Sequence, residues 1–273
     1  MEPYESVVVL RQTGYIDKLA RKFRIDVNRN VKVPIEPNKQ LTKRLEAEPK
    51  CVRPYRELVG PLIYNISTCT RPDISFAVNK CAQHFADPAE RHFDSAIKIL
   101  SYLSTTRELG LYLGGRRDGL DLSVYADADF ANDPDTRHSV TGNLLYLDGS
   151  LISWTSKKQK LVATSSTEAE FLAAFYTLRD IQCVEQFIRC VFPAKMPQIV
   201  LYQDNQSCIA LISNESSKGR SKHFDVKLKA LNASFRDRYF ELIYCPTEEM
   251  VADIMTKALN RIPFSRFRPK LVD

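Results

Sequence analysis

The residues with the clearest chemical potential are two aspartates, Asp127 and Asp129, two positions apart in Tyr125-Ala126-Asp127-Ala128-Asp129-Phe130. Aspartate is disfavoured in β-strands, yet the surrounding pattern is that of a strand. Because side chains alternate between the two faces of a strand, Tyr125, Asp127 and Asp129 would share one face. Something must compensate for charge grouped in this way. We therefore expect a divalent metal that Asp127 shares with carboxylates from later in the chain.

A calcium-binding loop is an alternative explanation of this pair. In the helix–loop–helix calcium site, loop positions five, six and twelve require Asp or Asn, Gly and Glu. Counted from Asp127, these positions hold Ala131, Asn132 and His138, which excludes such a loop. For Asp129 a cap of the turn towards Asn132 is a simpler role than metal binding, and we favour it.

Length and composition restrict the class of protein. The chain has 273 residues, which suits one large domain or two modest ones with real apolar cores. No apolar run approaches the roughly 18 residues of a membrane span, and residues 1–5 lack the basic and apolar regions of a signal peptide. We therefore expect an intracellular protein with no membrane partner. Its seven cysteines are odd in number and scattered, which favours neither a disulfide framework nor a zinc site.

The positive charge is modest but locally concentrated. The formal net charge is +6, and basic groups occur at Lys157-Lys158-Gln159-Lys160 and at Lys218-Gly219-Arg220-Ser221-Lys222-His223. Solvated turns would explain either group alone, and a polyanion partner is one further interpretation of the charge.

The first 115 residues read as a mostly helical region. Apolar spacing predicts short strands at 6–10 and 110–113, with helices at 15–23, 58–66, 74–85 and 89–103. Residues 28–54 are rich in proline and charge and predict an extended connection. The glycine-rich segment 114–119 predicts a linker. It divides the chain into regions 1–115 and 116–273.

Region 116–273 differs from the first in its predicted secondary structure, which contains both strands and helices. It predicts a three-stranded antiparallel meander at 120–129, 140–147 and 151–155, with Asp148-Gly149 as the second hairpin turn. A long helix from Ser165, a strand at 199–202, helices at 204–212 and 225–235, a strand at 239–244 and a helix at 248–259 follow. This order, βββαβαβα, is that of the ribonuclease H fold, an α/β architecture with a mixed five-stranded sheet.

The motifs resemble one family in particular, the ribonuclease H domain of copia-type LTR retrotransposon polyproteins. They are Tyr125-Ala126-Asp127-Ala128-Asp129-Phe130-Ala131, Ser156-Lys157-Lys158-Gln159, Ser165-Ser166-Thr167-Glu168-Ala169-Glu170, Asp204-Asn205-Gln206-Ser207, Lys222-His223 and Ala252-Asp253-Ile254-Met255-Thr256-Lys257-Ala258-Leu259. Segments 54–60 and 70–78 are similar to the thumb and connection segment of the same reverse transcriptases. No Tyr-x-Asp-Asp polymerase motif occurs, so we expect no polymerase active site in this chain.

The resemblance implies a metal-dependent endonuclease that hydrolyses the RNA strand of RNA/DNA hybrids. By motif position, its four carboxylates would be Asp127, Glu170, Asp204 and Asp253, holding two Mg²⁺ ions, for which Mn²⁺ can substitute. Hard cations of this kind take oxygen ligands, and paired ions assist both the attacking water and the leaving oxygen. Asp127 would bridge the two ions. The location implied is a cytoplasmic virus-like particle or the nucleus.

Each later acid has a structural alternative. Ser165-x-x-Glu168 is a capping box, which assigns Glu168 to the helix start and leaves Glu170 as the ligand. Asp204 fits an N-cap equally well, and Asp253, taken alone, fits an ion pair with Lys257 better.

The remaining site predictions concern the substrate. Lys157, Lys158, Lys160, Arg220 and Lys222 are candidates for phosphate contacts, which are salt-sensitive and largely independent of sequence. His223 is an auxiliary catalytic residue or a structural histidine, with neither role favoured.

The chain departs from the family pattern at Phe130, Asn132, His138, Glu215 and Lys218, which leaves every carboxylate in place but puts substrate contacts near His138 and Lys218 in doubt. Further partners implied are the upstream polymerase palm and fingers or a second copy of the chain. A retained non-catalytic or domesticated fragment, acting as a nucleic-acid-binding or accessory protein, is the alternative to an active nuclease.

Overall fold

The computed structural model describes residues 7–25, 30–37, 40–114, 120–193, 196–214 and 222–273, with the backbone alone at Asn65, Lys222 and His223. By their contacts the described residues form two compact units. The sheet unit consists mainly of Gly114–Asn132 and His138–Thr256, and the helical unit of Val8–Leu113, Asp133–Arg137 and Lys257–Asp273. None of the described helices is both long and apolar enough to cross a membrane.

The sheet unit is built on one five-stranded mixed sheet with strand order β5-β4-β3-β6-β7. Strands β3, β4 and β5 form an antiparallel meander, whereas β6 and β7 continue the sheet in parallel from β3. This topology confirms the predicted ribonuclease H-like fold class. The strands are β3 (Asp121–Asp129), β4 (Val140–Leu147), β5 (Ser150–Lys158), β6 (Gln198–Gln203) and β7 (Glu241–Tyr244).

The predicted tight turn between β4 and β5 is present. Leu147 pairs with Ser150, so the turn contains two residues, Asp148 and Gly149, with φ values of 48° and 81°. Two consecutive positive φ angles characterise the hairpin turn whose twist matches that of the strands, and the Asp-Gly pair adopts it readily.

Helices cover one face of this sheet. The long helix α5 (Ser166–Val191), α6 (Gln206–Ser213) and α7 (Lys222–Arg236) contribute to a core with Val124 and Ala126 of β3. Alternation places Tyr125 on the opposite face, where it packs with Tyr202 against Cys245, Met250 and Ala252. Both faces of the central strand are therefore occupied, and Asp127 projects from the same face as Tyr125.

The helical unit contains the short antiparallel pair β1 (Val8–Leu10) and β2 (Leu111–Leu113). Its helices are α1 (Thr13–Lys22), α2 (Tyr55–Pro61) with a π-helical continuation at Leu62–Ser67, α3 (Ser75–Ala82), α4 (Glu90–Thr105) and α9 (Arg261–Phe267). A buried ion pair between Arg71 and Asp73, at 2.8 Å, is completed by the Tyr102 hydroxyl, which donates to Asp73 at 2.6 Å. The predicted mostly helical character is thus present.

Two elements near the site differ from the sequence prediction. The helix predicted at 248–259 is a 3₁₀ turn at Thr247–Glu249 and a separate short helix, α8 (Asp253–Thr256), because Met250 adopts an extended ψ of 89° and residues 250–256 are all buried. Strand β5 runs three residues further than predicted, so Lys157 and Lys158 lie on a strand instead of a turn. Residues 257–273 group with the helical unit, and the division into regions 1–115 and 116–273 stays a prediction.

Candidate metal centre

Asp127 and Asp204 are brought together by the register of two parallel strands. Tyr125 of β3 pairs with Tyr202 of β6, and the two strands run in the same direction beyond that pair. Two residues further along, Asp127 and Asp204 reach the same edge of the sheet. Asp127 is still within β3, where it lies opposite Gly142 of β4, whereas Asp204 immediately follows β6.

Glu170 reaches the same place from helix α5. The Ser165 side chain caps the helix by accepting from the Glu168 amide at 3.1 Å, and the Glu168 carboxylate turns outward to accept from the Thr164 amide at 2.8 Å. Glu168 therefore serves the helix start as predicted, although its carboxylate accepts from Thr164 and not from the amide of Ser165, as a complete capping box would require. Glu170 lies half a turn further on and is buried. The position of the helix start therefore gives the two glutamates different roles, with Glu168 at the helix terminus and Glu170 in the buried site.

Asp127, Glu170 and Asp204 form an acidic cluster. One carboxylate oxygen from each lies within 4.8 Å of the others, and the first two side chains are buried. Burial raises the pKa of Glu170 well above its usual range, and the neighbouring charges of Asp127 and Asp204 raise it further. The amide of Ala128 and the side chain of Gln203 oppose this shift by hydrogen bonding to the carboxylate. Grouping these charges is therefore costly.

Gln203 connects two members of the acidic cluster and was not predicted. Its Nε2 donates to Glu170 Oε2 at 3.3 Å, and its Oε1 accepts from the amides of Asp204 and Asn205 at 2.8 and 3.1 Å. The side chain is fully buried. A signal existed in the sequence, because residues 199, 201 and 203 share one face of the strand and the first two are apolar. A glutamine at the third position implies a buried amide that needs partners.

Thr256 supports Asp127 from helix α8. Its hydroxyl donates to Asp127 Oδ2 and also lies 3.3 Å from the carbonyl oxygen of Asp253. Helix α8 approaches this closely because Gly142 has no side chain. A Cβ built there would lie 2.6 Å from Cβ of Met255 and Cγ2 of Thr256. Thr256 lies within the motif at residues 252–259, but its role depends on contacts that local sequence does not reveal.

The structure distinguishes between the predicted ligands. Asp253 begins helix α8 and is buried, but its carboxylate is not among the three that converge within 4.8 Å. Asp204 is not the N-cap of α6, because the Asn205 side chain accepts from the Cys208 amide at 2.8 Å and holds that position. Asp129 accepts a hydrogen bond from the Asn132 side chain, as expected of a turn residue.

The predicted substrate residues are described in part. Lys157 and Lys158 lie on β5, and Lys160 follows it. All three border one cleft at the junction of β4, β5 and α5. Lys222 and His223 begin α7, but their side chains lie outside the described part of the structure, as does Arg220 altogether.

The donor set of the acidic cluster fits a hard divalent cation. It consists only of carboxylate oxygens, the ligand type that Mg²⁺ and Mn²⁺ take. A cation would also remove the repulsion that raises the pKa of Glu170. The structure is therefore consistent with a divalent metal site formed by Asp127, Glu170 and Asp204.

Several retrovirus-related Pol polyproteins are similar to this chain. No family model matches the chain. The chain is 34% identical over 261 residues to the retrovirus-related Pol polyprotein from transposon TNT 1-94 of Nicotiana tabacum. The matched region covers 93% of this chain and 19% of the polyprotein. The corresponding polyprotein from transposon RE1 of Arabidopsis thaliana is 34% identical over 269 residues, 96% of this chain and 18% of the polyprotein. The chain thus spans about a fifth of the length of these relatives.

Two solved structures are similar to parts of this chain. LC11-RNase H1, isolated from compost, is 15% identical with a TM-score of 0.39 and covers 50% of this chain and 92% of its own. A foamy viral protease-reverse transcriptase in complex with dsDNA is 13% identical with a TM-score of 0.42 and covers 86% of this chain and 42% of its own.

Proposed function

Because the chain belongs to the copia-type Pol polyproteins of LTR retrotransposons, of which it matches one segment, we propose that it hydrolyses the RNA strand of RNA/DNA hybrids. The reaction is metal-dependent, with two Mg²⁺ ions as cofactors and Mn²⁺ as a substitute. The sheet unit carries the activity.

The observation that carries this proposal is the convergence of Asp127, Glu170 and Asp204 at one edge of the sheet. These acids come from β3, from α5 and from the turn after β6, and they are 34 or more residues apart in the sequence. A structural explanation of each acid alone does not account for their meeting in a buried site, where unpaired charge is unfavourable. A shared divalent cation does account for it.

When bound, Mg²⁺ in this cluster supplies a Lewis acid for the phosphoryl oxygens and lowers the pKa of a coordinated water. The chain's own residues hold the ligands in place. Thr256 orients Asp127, Gln203 orients Glu170, and the Thr247 hydroxyl donates to Asp204 Oδ2 at 2.9 Å. Partners of this kind fix carboxylate orientation before metal and substrate arrive. Asp253 is the fourth proposed ligand. It begins α8, and its carbonyl oxygen lies 3.3 Å from the Thr256 hydroxyl.

The substrate class follows from charge and from a similar protein. LC11-RNase H1, of the same fold, has been solved in complex with an RNA/DNA hybrid. In this chain Lys157, Lys158 and Lys160 are the proposed phosphate contacts, with Arg220 and Lys222, and His223 is a proposed auxiliary residue. Such contacts weaken steeply with salt and carry little sequence information. The upstream polymerase part of the polyprotein or a second copy of the chain is a proposed partner in holding the hybrid.

The proposal is tested with an end-labelled RNA/DNA hybrid in Mg²⁺, in Mn²⁺ and in EDTA, for wild type and Asp127→Asn. We expect cleavage by wild type with metal, and none by the variant. The matched control is Asp121→Asn, the same substitution at an exposed position on the same strand, which should cleave at the wild-type rate. Equal rates for wild type and Asp127→Asn would reject the assignment.

Metal binding is a second measurement that does not need activity. Calorimetric titration with Mn²⁺ should give binding to wild type and a large loss of affinity in Asp127→Asn. Hybrid binding without cleavage under any divalent ion, whether or not the polymerase part is added, would instead favour a non-catalytic nucleic-acid-binding protein.

A further inference from the structure

Helix α5 carries exposed apolar side chains near its carboxyl end. Phe187 is 69% exposed, Val191 is 50% exposed, and Phe192, which follows the last helical residue, is 49% exposed. Cys183 and Cys190 are exposed in the same part of the helix. Single apolar side chains on a surface are normal, but neighbouring ones of this size indicate an interaction site. We call this surface the α5 stripe and define it as Cys183, Gln186, Phe187, Cys190 and Val191.

Helical spacing places the stripe on the side of α5 that faces away from the core. Residues three, four and seven positions apart lie on one face of an α-helix. Cys183, Phe187 and Cys190 follow this spacing. Ile181 and Ile188 are buried on the opposite side of the helix. The stripe is therefore not needed to hold α5 against the sheet.

The α5 stripe has no charged residue. The structure describes all of residues 181–192, and the two charged residues among them, Glu185 and Arg189, bind each other. Arg189 Nε and Nη2 donate to Glu185 Oε1 at 2.9 and 2.6 Å. Nucleic acids bind proteins mainly through cations that contact phosphate, and this segment offers no unpaired cation. The occupant that fits the stripe is a protein surface that is itself uncharged.

A second copy of the chain supplies such a surface. In a two-fold symmetric dimer both copies use the same surface, so that each contact occurs twice. When two α5 helices pack antiparallel about an axis between Gln186 and Phe187, Cys183 of one copy lies level with Cys190 of the second copy. Cysteine is small, which allows the separation of about 8–10 Å between axes that packed helices have. Phe187 of each copy then lies level with Gln186 of the other.

The same alignment avoids repulsion between like charges. Glu185 lies level with Ile188 of the second copy, and Arg189 lies level with Val184. Arg179, the nearest exposed cation towards the helix start, lies beyond the end of the second helix.

We propose that the chain forms a homodimer through the α5 stripe, with the two helices antiparallel about an axis between Gln186 and Phe187. A segment of nine helical residues is about 14 Å long, so the contact is smaller than a standard interface of about 800 Å² per partner. The dimer is therefore weak. The proposal goes beyond the proposed function, because neither metal nor hybrid takes part in the contact.

The first test measures self-association of the full chain by analytical ultracentrifugation in EDTA and a reducing agent. We expect a dimer with a Kd of about 10–100 µM, and a Kd at least about tenfold higher in Phe187→Glu. The matched control is Val226→Glu on α7, because Val226 is also 69% exposed, and it should associate like wild type. Thermal unfolding shows whether both variants are folded. A wild type that stays monomeric, or an unchanged Kd in Phe187→Glu, would overturn the proposal.

The second test determines how the two helices are arranged. Cys69→Ser removes the third exposed cysteine, and the four others are buried. In this background, diamide accepts two electrons and two protons as two thiols form a disulfide. Cys183 and Cys190 of one chain are about 10 Å apart along the helix, too far for a bond within the chain. We expect cross-linked dimers with both cysteines present.

Single cysteine variants make this test specific. Neither Cys183→Ser nor Cys190→Ser should cross-link by itself, whereas a mixture of the two variants should. Cross-linking of either variant alone, to the extent seen in the mixture, would reject the antiparallel arrangement.

A different occupant gives a different result. If the full chain is monomeric but binds the polymerase part of the polyprotein, and Phe187→Glu abolishes that binding, the stripe belongs to that partner and the proposal is wrong. All these measurements are made without hybrid and without metal. Their outcome is therefore separate from that of the cleavage test with Asp127→Asn.

Discussion

Glu170 and Gln203 are joined by a buried hydrogen bond of 3.3 Å between a carboxylate and an amide that come from different elements. The same amide accepts from the backbone immediately after β6, where Asp204 begins the turn into α6. One neutral side chain therefore links the orientation of Glu170 to the position of Asp204. It does so without adding charge to a cluster in which the pKa of Glu170 is already raised by its neighbours.

Replacement of Gln203 by methionine should weaken metal binding. Gln203→Met keeps the volume of the side chain but leaves two backbone amides without their acceptor, which costs about 1–3 kcal/mol of folding stability. Loss of such a supporting partner lowers metal affinity about 10–100-fold. Mn²⁺ titration and thermal unfolding would measure both effects. Gln198→Met, at the exposed start of the same strand, is the control, and equal affinities in the two variants would show that Gln203 has no positioning role.

The Thr256 hydroxyl can be tested by a pair of substitutions. Thr256→Val keeps the shape of this fully buried side chain and removes the donor to Asp127, whereas Thr256→Ser keeps the donor. We expect a loss of Mn²⁺ affinity of about tenfold or more in the valine variant and near wild-type affinity in the serine variant. Should serine lose as much affinity as valine, packing by the methyl group and not the hydrogen bond would be the contribution of this residue.

A methyl group at Gly142 should displace helix α8. In Gly142→Ala the new Cβ would meet side-chain atoms of Met255 and Thr256 at 2.6 Å, closer than packed atoms tolerate. Overpacking of this kind costs about 1–3 kcal/mol, and it should reduce metal affinity as well because Thr256 supports Asp127. Gly14→Ala, where no atom lies within 4 Å, provides the control in thermal unfolding. Unchanged stability in Gly142→Ala would contradict the close approach of α8.

Stability without metal should fall as pH rises. The pKa of Glu170 is raised above the ordinary value of 4.5, so between these two values the native state holds a proton that the unfolded state has lost. The contribution of this proton to folding stability is fully present below the ordinary pKa and is lost as pH rises through the raised pKa. Thermal unfolding in EDTA across this window should show the fall in wild type. Glu170→Gln should be more stable at neutral pH and lack this dependence, and parallel pH profiles for the two proteins would contradict the shift.

The helical unit should lose stability in acid through His84. Its ring stacks on that of His92 with centroids 3.9 Å apart, and burial together with His92 lowers the pKa of His84 from 6.5 to about 4. Between these values the unfolded state binds the extra proton, so stability is lost as pH falls, by roughly 3 kcal/mol in total.

His84→Asn should show a shallower decline over this pH range when unfolding is followed by far-UV circular dichroism. Fluorescence of Trp154, the one tryptophan in the chain and part of the sheet unit, offers an internal comparison. A decline as steep as that of wild type would assign the acid sensitivity to other groups.

Local patterns were sufficient for much of the architecture. Alternation predicted β3 and β4 within one residue at each end, and the Asp-Gly pair predicted the turn before β5. The Ser165–Glu168 motif placed the start of α5, which in turn separated Glu168 from Glu170. These features depend on interactions within a few residues, which is why sequence alone reveals them. The prediction of one continuous helix at 248–259 was wrong for the converse reason. Residues 250–256 are all buried, and such a segment has no amphipathic pattern from which its structure could be predicted.

Contacts between distant residues required the tertiary structure. Asp127 meets Asp204 because β6 pairs in parallel with β3 in one particular register, and neither strand encodes that register by itself. Gln203 and Thr256 become supports of the acidic cluster only once β6 and α8 lie beside β3. The types of the acids were thus determined by the sequence. Their distances, burial and pKa values depend on desolvation and packing between elements, which the fold alone decides.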